Sequence, residues 1–114
     1  MKKMIGSLLV VSLLSFGTIQ AETNKVHEAI VIELLTPTIE EAIEKFYGMT
    51  RQYDQEELVE IKSPKECDSC YEAVIDIRTY IGAQEPPYGM DRLVLDIRGG
   101  DVTVIDYQHE EVKK

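Results

Sequence analysis

The 114-residue chain carries 12 basic and 21 acidic side chains, a formal net charge of −9. That sign excludes nucleic-acid binding driven by phosphate neutralisation and disfavours docking on an anionic membrane or wall polymer. The length suffices for one domain with a modest core.

Lys2 and Lys3 precede an uncharged run from Met4 to Ile19, and Ile19-Gln20-Ala21 follows as an exit. This is the layout of a secretory signal peptide, with Ala21 as the expected last residue removed. The run of 16 residues is short for a spanning helix, which needs about 20. An uncleaved N-terminal anchor is the alternative. No Cys follows the leader directly, so a lipoprotein anchor is not expected. The expected organisation is a signal peptide over 1–21 and a single α+β domain over 22–114, secreted and without stable membrane insertion after cleavage. The leader holds two of the 12 basic residues and none of the 21 acidic ones. A mature chain would therefore carry 10 basic against 21 acidic residues, a net charge of −11.

Thr23-Asn24 can cap a helix. Val26, Ala29, Ile30, Ile32, Leu34 and Leu35 follow at helical spacing, with His27, Glu28 and Glu33 between them. Pro37 interrupts by removing a backbone donor, yet Thr36-Pro37 also reads as a cap with proline at the first helical position. Ile39, Ala42, Ile43, Phe46 and Tyr47 continue the spacing, and Gly48 ends it. The spacing predicts two short helices at an angle, or one helix kinked at Pro37.

From Tyr53 the period changes. Leu58, Val59 and Ile61 lie among Asp54, Glu56, Glu57 and Glu60, the pattern of an acidic edge strand, which Ser63-Pro64 ends. Tyr71 to Ile81 alternates, with Tyr71, Ala73, Ile75, Ile77 and Ile81 on one face and Val74 and Tyr80 on the other. Gly82 to Gly89 reads as a loop. Arg92 to Arg98 alternates again, Gly99-Gly100 fits a type I′ turn, and Val102 to Tyr107 returns. A two-residue turn sets Arg98 opposite Asp101, Ile97 opposite Val102 and Leu95 opposite Val104. One face then holds Leu93, Leu95, Ile97, Val102 and Val104. The other holds Val94, Ile105 and Tyr107. Helices followed by a three- to four-stranded antiparallel meander make a two-layer α+β domain.

Cys67-Asp68-Ser69-Cys70 has three readings. In an exported chain the pair forms a structural disulfide. A redox CxxC would sit at a helix N-terminus, whereas this one runs into strand residues. Zinc would need His27 and His109 as well, and no metal site is expected, because a strand of 11 residues spans roughly 35 Å and leaves one histidine out of reach. His27 and His109 read as surface residues, and Asp76 with Arg78 as a surface pair. No cofactor signature, DxDxDG loop or GxSxG elbow is present.

Two surfaces are candidates for recognition. The loop Pro86-Pro87-Tyr88-Gly89 is stiffened by its prolines and offers an amphipathic tyrosine. The second sheet face, with Tyr80, Val94, Ile105 and Tyr107, is apolar enough to meet a protein or cell-envelope partner, or a second copy as a homodimer. The leading expectation is a small, exported, non-enzymatic binding module. A secreted thiol–disulfide protein using Cys67 and Cys70, or a homodimeric structural module, are the alternatives.

The basic leader, Leu34-Leu35-Thr36-Pro37, Phe46-Tyr47-Gly48, Pro86-Pro87-Tyr88-Gly89 and Val104-Ile105-Asp106-Tyr107 occur in an order that resembles one family. It is an uncharacterised family of small secreted proteins, carrying a domain of unknown function, from Gram-positive spore-forming bacteria. The resemblance implies a bacterial exported protein and no particular activity. Helix followed by meander also looks like cystatin-type or NTF2-type architecture, but the cystatin QxVxG loop is absent, so fold analogy supplies no function.

Overall fold

The computed structural model describes the backbone of residues 2–64 and 66–113, and side chains within 24–64 and 66–113. The side chains of residues 1–23, on which the expected signal peptide and its exit fall, lie outside the described residues. The order is α1 (Lys2–Tyr47), β1 (Gln52–Lys62), β2 (Cys70–Tyr80), β3 (Tyr88–Arg98) and β4 (Asp101–Val112). The four strands form one antiparallel sheet in the order β1-β2-β3-β4. Two compact units divide the chain at Val31 and Ile32. Helix α1 supplies all of the described first unit and, from Ile32, the helical layer of the second. Among the described residues no helix is long and apolar enough to cross a membrane.

The helix is one element rather than two. It runs through Thr23-Asn24 and through Pro37. A proline within a helix leaves the carbonyl four residues back without its donor, here that of Glu33, an exposed residue that water can reach. Beside it, the Thr36 hydroxyl donates to the Ile32 carbonyl at 3.0 Å. The helix ends as its sequence predicts. Gly48 adopts φ 72°, and its N–H donates to the Glu44 carbonyl at 2.8 Å, the single bond of an αL cap.

Leu35, Ile39, Ala42 and Ile43 recur at helical spacing and are buried. They cover Ala73, Ile75 and Ile77 of β2 and Leu93 and Leu95 of β3, all with essentially no exposed surface. Each such aliphatic side chain contributes about 1.5–3 kcal/mol by leaving water. Val26, Ile30 and Leu34, expected on the buried stripe, are exposed instead. Tyr71 and Ile81 are exposed too. Tyr71 lies near the start of β2 and Ile81 one residue past its end.

Strand β1 is the acidic edge its composition predicts. Bulges interrupt it between Asp54 and Glu57 and again between Leu58 and Glu60, and Gln55 has φ 55°. Gly99-Gly100 turns the chain between β3 and β4 with both glycines at positive φ, and Arg98–Asp101, Ile97–Val102 and Leu95–Val104 pair as expected.

Candidate functional site

Beyond Val104 the β4 register departs from a regular ladder. Leu95 pairs with Val104 but Val94 pairs with Asp106, so Ile105 has no opposite residue. This is a β-bulge, which turns the following residues onto the other face. Ile105 is 55% exposed. Tyr107 now lies opposite Leu93 and His109 opposite Asp91. Tyr107 therefore belongs to the helix-covered face, not to the outer face with Val94 that an unbroken alternation implies.

The two residues delivered inward close a polar clasp. Asp91 is 2% exposed in line with Leu93 and Leu95. Tyr47, at the end of α1, donates its hydroxyl proton to Asp91 Oδ2 at 2.5 Å, and Tyr107 donates to the same oxygen at 2.6 Å. His109 Nδ1 lies 2.6 Å from Asp91 Oδ1, an arrangement that places a ring proton on Nδ1. The Tyr47 hydroxyl is also 2.9 Å from His109 Nδ1 and 3.2 Å from Thr79 Oγ1. With its own proton committed to Asp91, Tyr47 accepts from Thr79, which is itself fully buried. Burial first, and then the bond to Asp91, push the Tyr47 hydroxyl up to about 12. The same two causes raise Tyr107 further.

Both oxygens of Asp91 are engaged, and its side chain has no exposed surface. A carboxylate so enclosed holds elements together: it ties the end of α1 to β3 and β4. Gly89 completes the fit. It pairs with Thr79 and Glu111, and a Cβ there would collide with Thr79 Oγ1 and lie 2.6 Å from the Tyr47 hydroxyl. Gly89 is thus a packing residue of the clasp. His109 is exposed, as expected, and from the surface it also reaches Asp91 as a member of the clasp. A signal was present for Asp91, which keeps the two-residue step of Leu93 and Leu95, and none for His109, which the bulge moves to this face.

Next to the clasp a groove of about 410 Å³ runs between α1 and β4. Thr38, Glu41, Ala42, Lys45 and Phe46 line it from the helix, and Val102, Thr103, Val104 and Tyr107 from the strand. Phe46 stacks on the Tyr107 ring with centroids 4.3 Å apart and meets Tyr47 edge-on at 4.9 Å. At the rim Lys45 pairs with Glu41 at 2.9 Å. Tyr107 is common to both features: its hydroxyl closes the clasp and its ring lines the groove. Beside the groove, β4 is a sheet edge whose outer side has no strand partner among the described residues.

The remaining residues singled out in the sequence are dispersed. Tyr88 is half-buried; the Arg78 guanidinium lies over its ring at 4.4 Å and its hydroxyl donates to the Gln84 carbonyl. Pro86 and Pro87 are exposed and joined by a cis bond. Tyr80 is buried and its hydroxyl meets Gln84 Nε2 at 3.3 Å. Around Val94 the outer face is crossed by ion pairs: Arg78 with Asp54 and Arg92 with Asp76, each bidentate at 2.7–2.8 Å. Asp76 thus pairs across the ladder with Arg92 rather than with Arg78, because residues two apart on one strand lie farther apart than directly opposed ones. On this face Val94 and the buried Val74 opposite it are set among ion pairs.

Cys67 and Cys70 form a disulfide with Cα atoms 5.4 Å apart, in the connection between β1 and β2. Cys70 is buried and opens β2, so no helix follows the pair. Among the described residues no three His, Cys, Asp or Glu side chains converge as a metal-holding group.

No curated protein and no solved structure shows a significant match to this chain. A family described as "Protein of unknown function (DUF3888)" does match, over residues 27–111. That span takes in the helix from His27, both cysteines, every residue of the clasp and the groove, and β4 as far as Glu111. Covering about three quarters of the 114 residues, the match shows that the chain belongs to the DUF3888 family.

Proposed function

We propose that this protein is a small, exported, non-enzymatic binding module that holds an extended segment of a partner protein along the groove between α1 and β4. The observation that carries the reading is the juxtaposition of an open strand edge with a groove whose apolar lining is Ala42, Phe46, Val102, Val104 and Tyr107. Strand addition uses both parts: the edge supplies main-chain hydrogen bonds, and an adjacent pocket takes alternate side chains. The two edges of the sheet differ in fitness for this. Two bulges break β1, whereas β4 runs for 12 residues with one bulge. The clasp supports the reading by fixing the end of α1, and with it Phe46, so that little ordering remains to be done on binding.

Export rests on the leader: its basic start, its uncharged run of 16 residues and its exit at Ala21. The resemblance to small secreted proteins of Gram-positive spore-formers agrees with it. Expression of the full chain in such a bacterium should place in the medium a product whose mass begins at Glu22. Retention of the intact chain in cells would refute export.

A display library of random nine-residue segments, panned against that product, tests binding. The expected outcome is enrichment of segments with alternating apolar residues, bound by the native protein and not by Thr38→Arg, which fills the groove from a half-exposed helical position. Enriched segments that bind Thr38→Arg equally well, with its thermal stability unchanged, would place the site elsewhere.

A further inference from the structure

We infer that the occupant of β4 is a cationic extended segment, apolar on its helix-facing side and basic on the other, and not a second copy of this chain. The inference rests on the groove reading above and adds its chemistry. Strand β4 contains Asp101, Asp106, Glu110 and Glu111 and no Lys or Arg. The bulge at Ile105 sorts these residues by face. Val102, Val104 and Tyr107 pair with Ile97, Leu95 and Leu93 on the helix side, whereas Asp106 and Glu110 pair with Val94 and Met90 on the outer side. A strand added beyond β4 inherits the same alternation, because neighbouring strands place their side chains on common faces. Its helix-side residues meet the groove of Val104, Phe46 and Tyr107. Its outer residues stand beside Asp106 and Glu110, where lysine or arginine is favoured.

The second copy fails on the same ground. Antiparallel pairing of two β4 strands gathers eight carboxylates along one seam, with no Lys or Arg in either strand to offset them. Repulsion among them disfavours that seam. The net charge of −9 adds long-range repulsion between copies, and steers a cationic partner inward by the same field.

Fluorescence anisotropy on the full chain tests this with labelled seven-residue probes: Lys and Val alternating, Thr and Val alternating, and a scrambled Lys/Val peptide of the same composition. The alternating Lys probe should bind about tenfold tighter than the Thr probe at low salt, the scale of two exposed charge pairs. The gap should close in 0.5 M salt, about five times the ionic strength that already screens charges beyond ~10 Å. Asp106→Asn with Glu110→Gln should remove the Lys advantage and leave the Thr probe unaffected. Equal binding of the Lys and Thr probes overturns the cationic inference while the groove reading stands. Equal binding of the scrambled and alternating Lys peptides overturns the two-sided pattern. If neither alternating probe binds, the groove reading falls with it. A dimer in sedimentation at micromolar concentration, with β4 amides protected from exchange, makes the second copy the occupant and refutes the inference.

Discussion

Gly89→Ala separates packing from recognition at a position that a loop-centred reading would assign to a ligand. In most strands the change is mildly favourable, because glycine costs roughly 0.5–1 kcal/mol relative to alanine. Here the added Cβ meets Thr79 Oγ1, lies 2.6 Å from the Tyr47 hydroxyl and 3.1 Å from Asp91 Oδ1. Thr79 is fully buried and cannot retreat, and the Tyr47 tip is held by Asp91 at 2.5 Å. Overpacking costs about 1–3 kcal/mol, and displacing a hydroxyl from a charged acceptor a further ~1.5–3 kcal/mol. After the helix-free gain of alanine is subtracted, the net cost is about 2–5 kcal/mol, a large share of the ~5–15 kcal/mol that holds a typical domain. Urea unfolding should show a midpoint lowered by about 1 M or more, for a slope of roughly 1–2 kcal/mol/M. Thr79→Ala or Tyr47→Phe in the same chain removes one obstructing hydroxyl, so each double variant should lose less than the sum of its singles, by about 0.5–3 kcal/mol. A midpoint unchanged or raised in Gly89→Ala would refute the packing argument.

Replacing Cys67 and Cys70 with serine opens a four-residue loop, and the chain-entropy relation gives a loss of roughly 2 kcal/mol, readable as a lower urea midpoint. Tyr47 is held protonated by burial and by Asp91, with its hydroxyl pushed up to about 12 from 10.0. Its stabilising effect is therefore complete below pH ~10 and is lost as pH rises through about 12. Absorbance at 295 nm should show late tyrosinate formation that coincides with unfolding, and Tyr47→Phe should remove that coincidence. Asp54 shifts the other way: the bidentate bond from Arg78 lowers its carboxyl below the ordinary 3.8. Its contribution is present above that value and fades as pH falls below it, and Asp54→Asn should flatten this part of the acid limb. Tyr88→Ala should leave peptide capture at β4 intact while raising amide exchange across 82–88, because its ring and hydroxyl serve Arg78 and Gln84.

Local signals in the sequence carried the fold. Gly48 marks the helix end because only a residue tolerant of positive φ closes it without strain. Gly99-Gly100 sets the β3–β4 register for the same reason. The acidic run after Tyr53 announces an edge because charged side chains discourage a further strand from pairing there. Pro37 left a helix pair and a single helix both open, and the single helix holds, with the carbonyl that the proline strands belonging to exposed Glu33. Thr79 and Asp91 were overlooked as core residues because they are polar, although both keep the two-residue step of their apolar neighbours. Their burial depends on partners that lie 32 and 44 residues away at Tyr47, and no local pattern reports such distances.

The bulge at Ile105 is where the site departs from its sequence pattern, and its cause is energetic. An unbroken ladder beyond Leu95–Val104 would pair Ile105 with Val94, Asp106 with Leu93 and Gln108 with Asp91. It would press one carboxylate into the aliphatic core and offer the other a neutral amide, while Tyr107 pointed outward. Burying an unpaired charge costs far more than leaving one isoleucine half in water. One extra residue exchanges these placements. Asp106 moves to the outer face, Tyr107 reaches Asp91 Oδ2, and His109 meets Oδ1. Neither glycine nor proline marks the position, because the driving force is the identity of the residues on both sides of it. The same shift that satisfies Asp91 sets the Tyr107 ring against Phe46, so the groove and the clasp arise from one register change.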